Sequence, residues 1–160
     1  MTRVEKIRLR LATERDIPFM QDLYASVREP EFAATGLPPE SVKQFLALQF
    51  AAQHQHYMSH YNSDAFHIVE IEDAPVGRLF IDYWEREIRI VDIALLPEIR
   101  GQGIGRYLLS SILVEATAKA LPVSIHVERN NPALRLYERL GFKVTARRDD
   151  IYLLMEWHPQ

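Results

Sequence analysis

At 160 residues, 48% of them apolar, the chain is long enough to bury one sizeable core and reads as a single domain over 1–160, with no continuous apolar run of membrane-spanning length. It contains no cysteine, which excludes disulfides, thiolate metal sites and cysteine-linked acyl intermediates. The formal net charge of −3 is unevenly spread, with ten Lys and Arg against sixteen Asp and Glu in residues 1–99 and nine against six in residues 100–160, so a polyanion suits the second portion and a cation the first. The charged, alternating start MTRVEKIRLR is neither a signal nor a transit peptide, and the expectation is a cytoplasmic protein without membrane or nucleic-acid partners.

The segment KIRLRLA alternates as a first strand with Ile7, Leu9 and Leu11 on one face. Thr13 followed by Asp16 marks a helix start leading into IPFMQDLYASV, and REPEFAATGLPP is a loop by its Pro and Gly content. Val42, Phe45, Leu46, Phe50, Tyr57 and Tyr61 then lie along one face of a long second helix. Three strands follow, AFHIVEIE, VGRLFIDYW and EIRIVDIALL, joined by short turns at EDAP and WERE.

Behind them stands RGQGIG, with three glycines in six residues between a strand and a helix. Glycine there permits either a sharp turn or a close approach to the main chain, and a helix start adds free N–H groups that suit a phosphate. The dinucleotide pattern fails because Arg106 stands at its third glycine, and the P-loop pattern fails for want of a Gly-Lys-Ser/Thr ending. Ile104, Leu108, Ile112 and Ala116 recur every fourth residue in the next helix, which ends before Pro122. VSIHVE is a short strand. In NNPALRLYERLGF, Asn131 is the expected N-cap, Pro132 the first helical residue and Gly141 the terminator; KVTARR and IYLLMEW close the chain as a hairpin around Asp149 and Asp150. The order β-α-α-β-β-β-α-β-α-β-β implies an α/β protein of α+β type, a mixed sheet covered by helices.

Two motifs carry a resemblance. LLPEIRGQGIGRYLL looks like the acyl-CoA binding motif of the GNAT superfamily of N-acetyltransferases, and Asn130, Ala133, Leu136, Tyr137, Gly141 and Phe142 resemble that superfamily's second signature. The two occur in the right order, separated by one helix and one strand. The resemblance implies a GNAT-like fold whose mostly antiparallel central sheet splays between its fourth and fifth strands, with helices on both faces. It implies acetyl-CoA as co-substrate and transfer of the acetyl group to a primary amine of a small molecule or peptide. A non-catalytic acyl-CoA-binding sensor is the alternative.

For the cofactor, Gly101, Gln102, Gly103, Ile104, Gly105 and Arg106 offer a cradle of N–H groups to the pyrophosphate, Arg100 braces the loop, and Arg106 and Arg139 are candidates for the remaining phosphate charge. Asn130 and Ala133 belong to the same cofactor-binding set through the second signature. By resemblance, Ile93, Ala94 and Leu95 supply main-chain contacts to the pantetheine arm, with the Leu95 N–H polarising the thioester carbonyl.

Acyl transfer to an amine needs a proton taken from nitrogen and one given to the departing thiolate. Tyr137 is the candidate acid, although its place on an apolar helix face also suits a core tyrosine. Asp92, interrupting RIVDIALL, is the candidate base or cation attractor, half-buried beside a polar partner; Glu87 and His126 are alternatives, and strand alternation sets Glu87 and Asp92 on opposite faces. His54, His56 and His60 lack a placed third ligand, so no metal is expected. That helix, with Tyr24, Glu29, Glu31 and Phe32 before it, falls where GNAT-like proteins build the acceptor site, and its acidic bias favours a cationic amine. A monomer or homodimer fits equally.

Overall fold

The computed structural model describes residues 3–148 and 151–160. Its elements are β1 (Ile7–Leu11), α1 (Ile17–Arg28), α2 (Pro39–His60), β2 (Ala65–Ile71), β3 (Ala74–Tyr83), β4 (Ile88–Leu95), α3 (Ile104–Lys119), β5 (Val123–Glu128), α4 (Leu134–Arg139), β6 (Lys143–Arg148) and β7 (Tyr152–Trp157). They form one seven-stranded sheet in the order β1-β2-β3-β4-β5-β7-β6. Every neighbouring pair is antiparallel except β4 with β5.

The sheet separates two apolar cores. On one face the α3 stripe Ile104, Leu108, Ile112 and Ala116 meets Leu79, Ile81, Ile88, Ile90, Val123 and Ile125, with Tyr137 and Phe142 from the α4 region. On the other face α1 and α2 bring Met20 and Phe50 onto Phe66, Ile68 and Phe80, and the Phe66 and Phe80 rings stack at 4.1 Å. The helical and strand periods of the sequence account for both layers, because each element has one apolar side to bury.

Local signals explain the starts and stops. Thr13 and Asp16 make a reciprocal capping box ahead of α1. Arg10 from β1 donates to the same Asp16 carboxylate at 2.7 and 2.9 Å and to Glu70 at 2.8 Å, which holds the Asp16 carboxyl below its usual range. Gly141, at φ 104°, ends the α4 turn: its N–H reaches Glu138 O and the Phe142 N–H reaches Tyr137 O, both at 3.0 Å. Helix α4 begins at Leu134 rather than Pro132, because Asn131 Oδ1 accepts from the Ala133 N–H and closes a turn of its own first. The expected turn at Asp149 and Asp150 lies outside the described residues.

The apolar face read for β1 stays largely in solvent, with only Ile7 packed against the core. Leu9 and Leu11 are 44% and 54% exposed, because β1 is the sheet edge and the helix layer does not extend over it.

Strands β4 and β5 pair over only three rungs, Ile88–Val123, Arg89–Ser124 and Ile90–Ile125, and then part. On its other side β4 stays tightly paired to β3, where a Cβ on Gly77 would stand 2.3 Å from Ala94 O. Gly77→Ala is therefore expected to destabilise the fold by about 1–3 kcal/mol, the usual cost of forcing a methyl into packed structure. Urea unfolding of the variant at wild-type midpoint and slope would contradict this account of β3–β4.

Candidate active site

The gap between β4 and β5 is lined by backbone that the sheet leaves unused. The Leu96 N–H donates to Val76 O at 2.8 Å, which makes Gly77–Leu95 a non-hydrogen-bonded pair of the β3–β4 ladder. Antiparallel ladders alternate, so the main-chain groups of Ile93 and Leu95 face away from β3 and into the gap. Ala94 differs from the expectation, since its N–H and C=O belong to the rung with Arg78 and turn towards β3. Arg100 braces the strand end, its Nε donating to Leu95 O at 3.1 Å.

Directly beyond that brace runs the glycine loop. Gly101 and Gly103 sit at φ 76° and 81°, in the left-handed region, and a Cβ on either would meet nothing within 4 Å. Conformation, not crowding by the protein, is what calls for glycine there. At Gly105 a Cβ would only touch Leu95 and Leu136 at 3.7 and 4.0 Å. The first main-chain bond of α3 runs from the Tyr107 N–H to Gly103 O, so the N–H groups of Gly103, Ile104, Gly105 and Arg106 have no acceptor among the described residues. Gln102 is held through its side chain, donating to Glu98 O at 3.0 Å and accepting from Arg3 at 2.8 Å. The exposed side chains of Arg106, Asn130 and Arg139 make no side-chain hydrogen bond or ion pair among the described residues.

Tyr137, in α4, packs into the core on the α3 face of the sheet. Only 3% exposed, it packs edge-on to Phe142 at 5.9 Å, and its hydroxyl has no hydrogen-bond partner among the described residues. Burial, and next the Asp92 carboxylate, push the phenol above its ordinary value. The ring belongs to the core, as its place on an apolar helix face suggests, while the hydroxyl is left without a hydrogen bond among the described residues.

Asp92 has the polar partner expected of it. Arg78, in β3 and 2% exposed, reaches Asp92 Oδ2 with Nε at 2.7 Å and Nη2 at 2.5 Å, and also donates from Nη2 to Gln53 at 2.7 Å. The guanidinium lies 4.7, 5.7 and 6.0 Å from the ring centres of Phe80, Tyr57 and Phe50. A buried arginine needs a carboxylate, and Asp92 supplies it. Sequence reasoning passed over Arg78, yet a signal existed: two adjacent apolar strands each carry one basic and one acidic residue, Arg78 and Asp82 in β3 and Arg89 and Asp92 in β4.

The opposite-face expectation for Glu87 and Asp92 is corrected by a one-residue bulge. Phe80 pairs with Asp92 and Ile81 with Ile90, leaving Val91 extra, so Arg89 and Asp92 share the α1/α2 face although three positions apart. Glu87 bonds Ser124 Oγ and approaches Arg89 on that same face. His126 Nδ1 accepts from Arg89 at 3.2 Å, so both alternatives to Asp92 are engaged with one arginine beside the closed end of the β4–β5 pair.

Beyond Asp92, on the α1/α2 face, the surface is tyrosine-rich and its charges come in pairs. Arg28, at the end of α1, bonds Glu128 at the end of β5, stands 3.6 Å from Glu31 and lies 5.4 Å from the Tyr24 ring centre. The carboxylates expected to select a cation are thus partly matched by arginines, apart from the exposed Glu29. Phe32 packs edge-on to Phe45 at 5.7 Å. His56 and His60 stack at 4.2 Å and His54 lies on Phe50, but no group of three metal-ligating side chains forms among the described residues. No helix among these residues is long and apolar enough to cross a membrane.

Known proteins share this arrangement. The chain is 29% identical over 110 residues to the peptidyl-lysine N-acetyltransferase YjaB of Salmonella typhimurium, spanning 68% of this chain and 71% of that protein. It is 35% identical over 65 residues to the mycothiol acetyltransferase of Brachybacterium faecium, covering 39% of this chain but only 20% of the relative's length. The fold matches that of the PaiA N-acetyltransferase from Thermoplasma acidophilum, solved in complex with coenzyme A, with a TM-score of 0.69, 18% identity and coverage of 95% and 98% of the two chains. The family model for the acetyltransferase (GNAT) domain matches residues 62–144, the stretch that holds the parted strands, the glycine loop and Tyr137. With a splayed parallel pair, a helix start whose N–H groups are free and a matching family model over half its length, the chain belongs to the GNAT acetyltransferase family.

Proposed function

We propose that the protein transfers an acetyl group from acetyl-CoA to a primary amine of a small molecule or peptide by direct attack in a ternary complex. The observation that carries this reading is the main chain of Ile93 and the Leu95 N–H, turned into the gap without a sheet partner, together with a Tyr137 phenol that has no hydrogen bond among the described residues. The loop fits a pyrophosphate: four N–H groups lack acceptors, and the side a Cβ would occupy at Gly101 and Gly103 is open. Ile93 and Leu95 would bond the pantetheine arm, with Ala94 holding the strand to β3. Arg106 and Arg139 would meet phosphate charge, and Asn130 and Ala133 would border the arm at the start of the α4 turn.

In the reaction the amine nitrogen attacks the thioester carbonyl, and the Leu95 N–H stabilises the charge that grows on oxygen. The C–N bond forms, the C–S bond breaks, and the thiolate takes its proton from Tyr137 Oη. The nitrogen gives up a proton to solvent, with Asp92 drawing the amine in while Arg78 fixes the carboxylate's position. Tyr137 then regains a proton from solvent. The name of the Salmonella relative supports an amine acceptor of the lysine side-chain type.

Acetyl-CoA at ~100 times its Kd is expected to stabilise the protein by about 2.7 kcal/mol. Gly103→Glu, which adds bulk, negative charge and a strained φ at the cradle, is expected to weaken that binding sharply. Calorimetry giving equal affinities for wild type and variant would remove the loop assignment.

Tyr137→Phe is expected to keep the fold and acetyl-CoA affinity while lowering kcat by roughly 10²–10⁴, the usual effect of losing a positioned acid. Because the phenol's pKa is raised, it stays protonated to higher pH than an ordinary tyrosine, so any fall in wild-type kcat from its ionisation begins above about pH 10. Melting temperature, affinity and kcat measured on one preparation decide the matter. Normal turnover per folded molecule would make Tyr137 structural.

A further inference from the structure

Tyr57 stands opposite Tyr137 across the sheet. It comes from α2 while Tyr137 comes from α4, and neither hydroxyl has a hydrogen-bond partner among the described residues. Both phenols lie close enough to feel the Asp92 carboxylate, and neither hydroxyl is committed to another protein group among the described residues.

Arg78 fixes the geometry on the α2 side. Its guanidinium lies 5.7 Å from the Tyr57 ring centre and within 2.7 Å of Asp92 Oδ2, so ring and carboxylate flank one immobile cation. The Tyr57 ring is held edge-on against Phe80 at 6.3 Å and Tyr61 at 6.1 Å. Both contacts from Arg78 fall on Oδ2, leaving Asp92 Oδ1 without a hydrogen bond among the described residues.

We infer that Tyr57 binds the acceptor: its hydroxyl oxygen and Asp92 Oδ1 receive the two N–H groups of an incoming primary amine, turning the nitrogen lone pair towards the thioester. This inference rests on the acetyl-transfer reading above. Burial, and next Asp92, push the Tyr57 phenol well above its ordinary value, so it remains neutral and adds no charge beside the carboxylate. Two acceptors for two N–H groups make the site selective. An N-methylated amine brings one N–H fewer and leaves one acceptor unmatched, which a site built on hydrogen bonds penalises.

The test uses the full chain with benzylamine, butylamine and an α-blocked lysine amide as probes, each beside its N-methyl derivative. Tyr57→Phe is compared with wild type and with Tyr61→Phe, the neighbouring control. Wild type is expected to favour each primary amine about tenfold or more in kcat/KM. Tyr57→Phe should lower kcat/KM for the primary amine by a similar factor and bring the preference close to one, with acetyl-CoA affinity and Tm unchanged and Tyr61→Phe like wild type. Calorimetric binding of the same probes to the CoA-saturated protein gives a readout independent of turnover. Equal handling of primary and N-methyl amines by wild type, or an unchanged preference in Tyr57→Phe, overturns the role of Tyr57 alone. Neither binding nor thiol release with any primary amine overturns the acetyl-transfer reading as well.

Discussion

The site depends on a ladder that stops early. After three rungs β4 and β5 separate, and main-chain donors and acceptors that a continuous sheet would satisfy are left facing a gap. Such groups are costly inside a protein unless water or a ligand meets them, so the gap is a place where an extended molecule with its own amides can bind at little reorganisation. What keeps the gap open lies on both sides: β3 holds β4 through a glycine too close for any Cβ, and β7 holds β5 over its whole length.

The bulge at Val91 extends this effect to side chains. By inserting one residue it brings Asp92 onto the face of Arg78 and Phe80, where a charge pair is enclosed by aromatic rings. Removing Asp92 would leave the buried Arg78 guanidinium unmatched, a much larger penalty than the pair itself contributes. Asp92 is therefore fixed in place by a structural requirement before any chemical one is considered, and residues beside it inherit a rigid frame.

Much of this was legible in the residues. Periodicity located the helices and strands, because an element with one buried side must repeat its apolar residues, and the glycine loop with its following helix declared a main-chain binding surface. The misreadings came from effects that a linear pattern does not carry. Leu9 and Leu11 alternate properly but lie on an edge without cover; Asn131 builds a separate turn before α4; Val91 breaks the period of two, so Glu87 and Asp92 share a face. Arg78 came to light only when the paired strands set it beside Asp92. Charge pairing was equally invisible in composition, which counted Glu31 and Glu128 without their shared Arg28.

The uncovered edge has a consequence for how the protein behaves in company. A five-residue edge strand with one side unpaired to any strand among the described residues, and with two exposed leucines, is a template onto which another chain could add a strand. Arg8 and Arg10 alternate with those leucines, and because Arg10 is already matched by Asp16 and Glu70, Arg8 is the charge that an approaching strand would meet. Arg8 is thus the residue that stands against strand addition at this edge, and neutralising it would be felt first in solubility at high concentration.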